Sequence, residues 1–381
     1  MGISEAIWAD PVEFLRANAP DEPVLFFSPA ALQARAAEFR AGFPGLVTYA
    51  VKANPDEAVI GNLAAAGVTA FDVASPAEIA LVRRLVPGAV MHYNNPVRSR
   101  REIAAGIDAR VASWSVDSAS ELAKLFDMLP ERDTEIAVRF KLPVKGAAYD
   151  FGAKFGASEE QAVELLADVA AQGFLPALTF HPGTQCTDPA AWENYLHAAA
   201  RISKAAGVEL SRLNVGGGFP AHREAGAAPE LAPIFARIHA AAVASFDTAL
   251  PDLVCEPGRG MVAESFSLLT RIKAVRDATH VFLNDGVYGA LAELPLMGTI
   301  SRVEVRAPDG RMRSYDPVER IVFGPTCDSV DRLPGTLPLP ADAQEDDYVL
   351  FHGMGAYSAV TSTQFNGFGG LSVVTTMALQ S

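Results

Sequence analysis

Cysteine, clustered positive charge and long apolar runs are all scarce in this chain of 381 residues. Its three cysteines, Cys186, Cys255 and Cys327, are too few and too widely spaced for a disulfide framework or a zinc site, so we expect no metal. The same scarcity favours a reducing cytoplasm. With 31 basic and 45 acidic residues, the net charge of −14 argues against nucleic acid and weakly favours a cationic metabolite.

Membrane insertion and secretion are also not expected. No apolar run reaches the ~20 residues that span a bilayer, and the opening MGISEAIWADPVEF lacks the basic and apolar segments of a signal peptide. The chain is 50% hydrophobic, which is enough for a full core. Its length predicts two globular domains.

Short β-branched or aromatic runs alternate with alanine-rich helical segments from about residue 46 to residue 256. The helical segments, such as Pro76–Val86 and Glu159–Gly173, begin after Ser or Pro. Eight such βα units predict a closed (β/α)8 TIM barrel. The predicted strands are Leu46–Val51, Thr69–Val73, Ala89–Tyr93, Ala112–Val116, Glu135–Phe140, Ala177–His181, Arg212–Val215 and Leu253–Glu256.

After Met261 the pattern changes to strand-like runs broken by proline and glycine, which predicts a second, β-rich domain with a sandwich-like or barrel-like sheet. We place the barrel at residues 28–262 and the β-rich domain at residues 1–27 and 263–381. The polar, proline-rich stretch Pro334–Asp347 is predicted to be a surface loop. Strands of this domain are expected at Phe266–Val275, Val281–Leu283, Arg302–Val305 and Tyr348–Phe351.

Lys52 directly follows the strand residues TYAV and precedes the turn Ala-Asn-Pro. Reactive groups of barrel enzymes lie at such strand ends. An amine held in a barrel mouth can lose water, which lowers its pKa and lets it form an imine with an aldehyde cofactor. A solvated surface lysine is the alternative that position alone leaves open.

The last three predicted barrel strands are each followed by groups that suit a phosphate. The run NVGGGFP places bare backbone N–H groups after a strand, where they can surround an anion, although a glycine turn can also serve geometry alone. Thr184 in HPGTQ and Arg259 in EPGRG add further donors. Barrel phosphate sites are usual at these late strands.

Glu256, His181 and Asp72 complete the strand-end groups. A carboxylate such as Glu256 beside a pyridine nitrogen keeps that nitrogen protonated and makes the ring an electron sink, whereas a salt bridge to Arg259 is the alternative. His181 is either a core histidine or a flat ring that stacks on a cofactor, and we favour stacking. Asp72 either orients a neighbour or takes part in the chemistry.

Seven motifs stand in order along the chain: YAVKANP, FDVASPAEI, HPGTQ, NVGGGFP, CEPGRG, GPTCDSVD and GMGAYS. Together they resemble the fold-type III, alanine racemase-like decarboxylases that use pyridoxal 5′-phosphate (PLP), most closely the ornithine decarboxylase branch. The resemblance extends from about Val24 to Phe368. It implies removal of the carboxylate of a basic L-amino acid, ornithine or lysine, to give the diamine and CO2.

The resemblance also implies roles for single residues. Lys52 would hold PLP as an imine, His181 would stack on the ring, and Glu256 would bind the pyridine nitrogen. The shell supporting them would consist of Asp72, Glu78 and Arg139. The phosphate would contact Thr184, Gly217, Gly218, Gly258, Arg259 and Tyr357.

Cys327 and Asp328 in GPTCDSVD resemble the pair that this family donates from one subunit into the active site of the other. The resemblance therefore implies a homodimer with two shared active sites. Cys327 would protonate the carbanion left by CO2, and Asp328 would bind the distal ammonium of the substrate. A buried cysteine beside a turn aspartate is the alternative.

The second distal acid of the ornithine decarboxylases is replaced by Met297. Glu293, four residues earlier, is a candidate to bind substrate instead, and Pro295 is expected to distort any short helix there. Diaminopimelate decarboxylases usually carry Glu where this chain has Asp328, which favours ornithine or lysine. Arginine, diaminopimelate and carboxynorspermidine stay open as substrates.

Two other functions compete with decarboxylation. An amino-acid racemase shares the barrel and Lys52, but it needs a second base and typically places Arg at the pyridine nitrogen, so Glu256 counts against it. A non-catalytic binding protein of the same fold would lose the lysine, the cysteine or the phosphate residues. This chain retains all three.

Overall fold

The structure is a computed structural model, and it describes residues 6–142, 154–298 and 300–380. The chain forms two compact units. The first unit, called the β-rich unit below, comprises Met1–Arg35, Ala221–Ala228 and Met261–Ser381. The second unit, which contains the barrel, comprises Ala36–Pro220 and Pro229–Gly260. Residues 28–35, 221–228 and 261–262, which the sequence places with the barrel, belong to the first unit in the structure.

In the second unit strands and helices alternate regularly, whereas the first unit consists mostly of β-strands. The α-helices, α1 to α11, are Pro11–Asn18, Pro29–Gly42, Glu57–Ala65, Pro76–Leu85, Arg100–Asp108, Ala119–Met128, Glu159–Ala171, Ala190–Ala206, Ala232–Phe246, Arg259–Val262 and Leu294–Met297. The strands, β1 to β16, are Val24–Phe27, Leu46–Ala50, Ala70–Val73, Val90–Tyr93, Ser113–Val116, Glu135–Arg139, Leu175–Thr179, Arg212–Asn214, Asp252–Cys255, Phe266–Arg276, His280–Leu283, Val303–Arg306, Pro317–Phe323, Leu337–Pro340, Tyr348–His352 and Ser372–Thr375. Short 3₁₀ turns lie at Val51–Ala53, Asp247–Ala249, Ala263–Ser265 and Phe365–Gly367.

Strands β2 to β9 pair in parallel and close into an eight-stranded barrel, which confirms the predicted (β/α)8 architecture. β2 pairs with both β3 and β9, and this double pairing closes the ring. Each predicted barrel strand is present, with its ends within two residues of the prediction. Because parallel strands align their carboxyl ends, the residues that follow them meet at one mouth of the barrel.

Serine caps fix where several barrel helices begin. The Ser75 hydroxyl accepts a hydrogen bond from the Glu78 N–H at 3.3 Å, and the Glu78 carboxylate accepts one from the Ala74 N–H at 2.7 Å. This reciprocal arrangement satisfies backbone donors at the start of α4. It also places the Glu78 carboxylate directly after β3, at the mouth of the barrel.

The first unit is built on an eight-stranded sheet, which confirms the predicted β-rich domain. Its main path runs β12-β15-β10-β11-β13-β14, and β1 adds to it by pairing antiparallel with β10 and parallel with β16. The four predicted strands correspond to β10, β11, β12 and β15. A hydrophobic core of this unit contains Leu15, Val24, Phe26, Leu269, Tyr348, Leu350 and Val374.

Two expectations about proline-containing segments were wrong. Pro334–Asp347 contains β14, which pairs antiparallel with β13 at the end of the sheet path, where prolines without an N–H are tolerated. Pro295 does not disrupt the short helix α11, because it lies in the first turn, where no intrahelical N–H is needed. Within the described residues, no helix combines the length and apolar character needed to cross a bilayer.

Candidate active site

Lys52 lies in the 3₁₀ turn that directly follows β2. Lys52 is exposed. The carboxyls of Asp72, Glu78 and Glu256 are all close enough to interact electrostatically with it. The surroundings of Lys52 are therefore acidic.

Glu256 follows β9, and its Oε1 accepts hydrogen bonds from the side-chain amides of Asn94 and Asn214. Asn214 ends β8, and its Oδ1 accepts the Gly216 N–H at 2.9 Å. Sequence reasoning missed both asparagines. Their sequence positions could have identified them, because each lies at the carboxyl end of a barrel strand, as Lys52, His181 and Glu256 do.

Burial dominates the electrostatics of the carboxyls in the mouth. It raises the pKa of Glu256 to about 8, an effect that Asp72 reinforces and that Lys52, the Asn214 amide and Arg139 oppose. Burial also raises the pKa of Asp72, against the attraction of Lys52. The pKa of Glu78 rises to about 7 for the same reason. The cluster of carboxyls therefore favours a nearby cation.

His181 follows β7 and is held as a neutral imidazole. Its Nδ1 accepts the Gly183 N–H at 3.1 Å, and burial together with Lys52 and Arg139 lowers its pKa well below the ordinary value. Since Nδ1 is an acceptor, the neutral ring carries its proton on Nε2. A flat uncharged ring in this position is suited to stacking on a cofactor ring.

The glycine run after β8 leaves room that any side chain would fill. A Cβ on Gly217 would lie 2.7 Å from the Glu256 carbonyl oxygen and 3.2 Å from His181 Nε2. Gly218 has a φ of +88°, and a Cβ there would collide with the Gly183 carbonyl. The turn therefore exposes bare backbone beside His181 and Glu256, which is the shape an anion cradle requires.

The other predicted barrel residues lie at the same strand ends. Arg139 ends β6, its guanidinium carbon lies 5.2 Å from the centre of the Phe155 ring, and it interacts electrostatically with Asp72 and Glu256. Arg259 begins α10 and is 7% exposed. Thr184 and Gly258 lie in the turns after β7 and β9.

Cys327 and Asp328 lie in the β-rich unit, in the loop after β13. Cys327 is exposed, and its sulfur donates to Asn366 Oδ1 at 3.3 Å, which also accepts the Cys327 N–H at 3.2 Å. Asp328 accepts the Tyr288 hydroxyl at 2.6 Å and the Val330 N–H at 3.1 Å. These bonds lower the pKa of Asp328, so it is held as a carboxylate.

A buried carboxylate supports this loop. Asp331 is 1% exposed and accepts hydrogen bonds from the Val287 N–H at 2.9 Å and from the N–H and hydroxyl of Thr326 at 3.0 and 2.8 Å. It therefore joins the turn that carries Tyr288 to the loop that carries Cys327. Sequence reasoning did not single out Tyr288, Asp331 or Asn366.

The remaining predicted residues of this unit have partners of their own. Glu293 lies 3.8 Å from the guanidinium of Arg223, which is 8% exposed and also donates to the Gly298 carbonyl at 3.0 Å. Met297 ends α11. Tyr357 has a φ of 54°, a left-handed conformation that is uncommon outside glycine.

Residues 30–263 match the family described as pyridoxal-dependent decarboxylase, pyridoxal binding domain. The match spans more than half of the chain. The chain belongs to the pyridoxal-dependent decarboxylases. Among its relatives, the lysine/ornithine decarboxylase of Selenomonas ruminantium is 32% identical over 332 residues, covering 84% of this chain and 81% of that protein.

Solved structures of decarboxylases are similar over nearly the whole chain. The arginine decarboxylase of Paramecium bursaria Chlorella virus, bound to agmatine, has a TM-score of 0.84 and 25% identity, covering 95% of this chain and 98% of that one. The lysine decarboxylase of S. ruminantium, in complex with PLP and cadaverine, has a TM-score of 0.82 and 28% identity, covering 98% and 94%. The predicted family, fold and decarboxylase activity are thus confirmed.

PLP is the cofactor of this decarboxylase, and the chemistry of the barrel mouth fits it. The bare backbone of the glycine turn suits a phosphate, Lys52 would supply the amine that an aldehyde needs, and Glu256 would supply an acid for a pyridine nitrogen. The two amides on Glu256 favour its charged form. These groups come from strand ends of one barrel.

Proposed function

We propose that this decarboxylase converts L-ornithine, L-lysine or both to the corresponding diamine and CO2. The observation that carries the proposal is the barrel mouth, where the Lys52 amine lies within electrostatic reach of Glu256 and Asp72. The substrate class is supported by the relatives, one named lysine/ornithine decarboxylase and one solved with cadaverine.

In this proposal the barrel residues bind and orient the cofactor. Lys52 holds PLP covalently, Glu256 holds a proton at the pyridine nitrogen, and neutral His181 covers the ring. When bound, PLP supplies an electron sink for the pair left behind by CO2. Asp72, Glu78 and Arg139 support this arrangement. The phosphate is held by Thr184, Gly217, Gly218, Gly258, Arg259 and Tyr357.

The β-rich unit is proposed to supply the proton donor and the substrate-binding acid. Cys327 Sγ gives its proton to the carbon that has lost CO2, and Asp328 binds the distal ammonium. The ionised state of Asp328 supports this role. Glu293 is the second candidate for the ammonium, although its contact with Arg223 competes for the same carboxylate.

We further propose a homodimer with two shared active sites, in which one copy supplies Cys327 and Asp328 to the Lys52 of the other. The exposure of Cys327 supports this, because a residue donated to a second copy must reach the surface of its own. The arrangement makes the dimer obligatory for activity.

The three cysteines bear on cellular location. Cys186 and Cys255 are buried, Cys327 is exposed, and none is in a disulfide. An exposed thiol that transfers protons must stay reduced. We therefore place the enzyme in a reducing cytoplasm.

The covalent role of Lys52 is tested with Lys52→Ala. We expect loss of the yellow, borohydride-sensitive absorbance and a fall in turnover of many orders of magnitude, because no other amine takes its place. Lys204→Ala, which removes an exposed lysine on α8, is the control and should behave like wild type. Turnover of Lys52→Ala at the wild-type rate would refute the assignment.

The shared sites are tested by mixing two variants that each fail to form the diamine, Lys52→Ala and Cys327→Ala, with diamine formation as the activity measured. Random subunit exchange gives half mixed dimers, each with one intact site, so about a quarter of full activity should return. Exchange is verified separately with differently tagged copies. If exchange occurs and no activity returns, both residues serve the same copy.

A further inference from the structure

Two asparagines converge on one oxygen of Glu256. Asn94 follows β4 and Asn214 ends β8, and each donates a side-chain N–H to Glu256 Oε1. The direction of the Asn214 amide is fixed, because its Oδ1 accepts the Gly216 N–H at 2.9 Å. The Glu256 N–H in turn donates to the Gly216 carbonyl at 2.9 Å. The amide therefore presents its donor to the carboxylate.

The Asn94 amide also acts on a second carboxyl, that of Asp72 on β3, whose pKa it lowers. The charged groups that act on both carboxyls are Lys52, after β2, and Arg139, at the end of β6. An amide placed between two carboxyls gives each an N–H and reduces the cost of ionising both. Asn94 thus couples the acid proposed for the pyridine nitrogen to its acidic neighbour.

We propose that Asn94 and Asn214 are positioning residues whose N–H groups favour the ionised form of Glu256 against the effect of burial, so that the proton it shares with the pyridine nitrogen stays on the nitrogen. The inference rests on the role proposed for Glu256. Loss of one hydrogen bond to a charged group changes an equilibrium by roughly tenfold or more. Without one donor, Glu256 becomes more basic and draws the shared proton away from the pyridine nitrogen, which weakens electron withdrawal.

The test follows the pyridine nitrogen directly, by nitrogen NMR on enzyme loaded with ¹⁵N-labelled PLP. In Asn94→Ala and Asn214→Ala we expect the signal to move toward the unprotonated value, with kcat reduced roughly tenfold and KM unchanged. Asn95→Ala is the matched control. Asn95 lies in the same turn, but its amide donates to the Ala74 carbonyl at 3.3 Å and accepts the Val97 N–H at 3.4 Å.

Asn214→Asp keeps the shape and the acceptor for Gly216, but it donates to Glu256 only when protonated. Its nitrogen signal and kcat should therefore match wild type at low pH. At high pH they should change at least as far as in Asn214→Ala, because the ionised aspartate adds a like charge beside Glu256. This variant remains informative if an alanine variant fails to fold. Unchanged nitrogen signals in folded variants at position 94 and position 214 would overturn the inference.

Glu256→Gln separates this inference from the proposed function. If Glu256→Gln moves the nitrogen signal and the asparagine variants do not, the asparagines are structural and the role of Glu256 stands. If Glu256→Gln leaves the signal at the wild-type value, Glu256 is not the acid at the pyridine nitrogen. The inference then fails together with that assignment.

Discussion

The sulfur of Cys327 and the carboxylate of Asp328 are each held by a side chain from elsewhere in the β-rich unit. Asn366 Oδ1 accepts from Cys327 at 3.3 Å, and the Tyr288 hydroxyl donates to Asp328 at 2.6 Å. Cys327 and Asp328 are adjacent in the chain, but each side chain is oriented by a different partner. A proton donor and a charge-binding group need different directions, and these separate bonds allow them.

Cys327→Ala should still bind PLP and release CO2, because neither step uses the thiol. Without a proton donor at the substrate carbon, the proton would go to the cofactor instead. Hydrolysis by water would then release an aldehyde in place of the diamine, and the substrate nitrogen would stay on the cofactor as pyridoxamine 5′-phosphate. Product analysis by mass spectrometry measures the ratio. Ser329→Ala, at an exposed neighbour, should leave the product unchanged. Normal diamine at the normal rate from Cys327→Ala would exclude it as the donor.

Substrate discrimination should rest mainly on Asp328. A single charge-assisted contact contributes roughly 1.5–3 kcal/mol, so Asp328→Ala should lower kcat/KM for ornithine and lysine by about ten- to a hundredfold. Met297→Asp, which restores an acid after Glu293, should sharpen the preference for ornithine. The comparison uses kcat/KM for ornithine, lysine, arginine, diaminopimelate and carboxynorspermidine. If wild type decarboxylates neither ornithine nor lysine but accepts another amine-bearing acid, the substrate assignment is wrong.

Among the structural elements, the turn after β8 determines the shape of the barrel mouth. Its glycines lie against the carbonyls of Glu256 and Gly183 and the ring of His181. Strand β8 is short, Arg212–Asn214, so the chain reaches this turn immediately after Asn214. The turn therefore couples the contact on Glu256 to the cofactor cradle.

Gly217→Ala should weaken PLP binding at least tenfold, because the added Cβ lies 2.7 Å from the Glu256 carbonyl oxygen and forces the backbone to move. Gly61→Ala in α3 is the matched control, since a Cβ at Gly61 meets no atom within 4 Å. It should leave PLP affinity unchanged and stabilise the helix by about 0.5–1 kcal/mol. Fluorescence titration of each protein with PLP measures the difference. Equal affinities for the two variants would show that the turn is not a cradle.

For the whole molecule, the buried carboxyls make stability depend on pH. The pKa of Glu256 rises from 4.5 to about 8 on folding, so the fold favours its protonated form. Its contribution to stability is largest below pH 4.5 and declines as pH rises toward 8. Protein depleted of PLP should therefore lose Tm across this range, and Glu256→Gln, which is always neutral, should lose less.

Thermal melts of the depleted proteins at several pH values measure this effect. Glu131→Gln, at an exposed site, is the control and should follow the wild-type curve. Parallel curves for wild type and Glu256→Gln would show that Glu256 does not titrate in this range. Added PLP should reduce the difference between them, since a cation at the pyridine nitrogen favours the ionised carboxylate.

The barrel and its strand-end candidates could be predicted from sequence because the relevant information is local. Alternation of apolar strand and amphipathic helix marks each βα unit, and the residue after each strand is found by counting. Parallel alignment then places Lys52, His181 and Glu256 at one mouth without any coordinates. The ordered motifs identified the family for the same reason, since each is a short continuous segment.

Strand β14 was not predictable in this way. Proline argues locally against a strand, and only the place of β14 at the end of the sheet path makes Pro338 and Pro340 acceptable. The outcome is set by the neighbouring strand, which the local pattern does not contain.

The sequence by itself determined the fold class, the family, the cofactor and the strand ends from which the candidate site is built. Only the tertiary structure decided which side chains touch. Asn94 and Asn214 are 162 and 42 residues from Glu256 along the chain, and they meet it because the barrel closes. Contacts of that kind depend on strand order and register, since no periodicity relates positions so far apart.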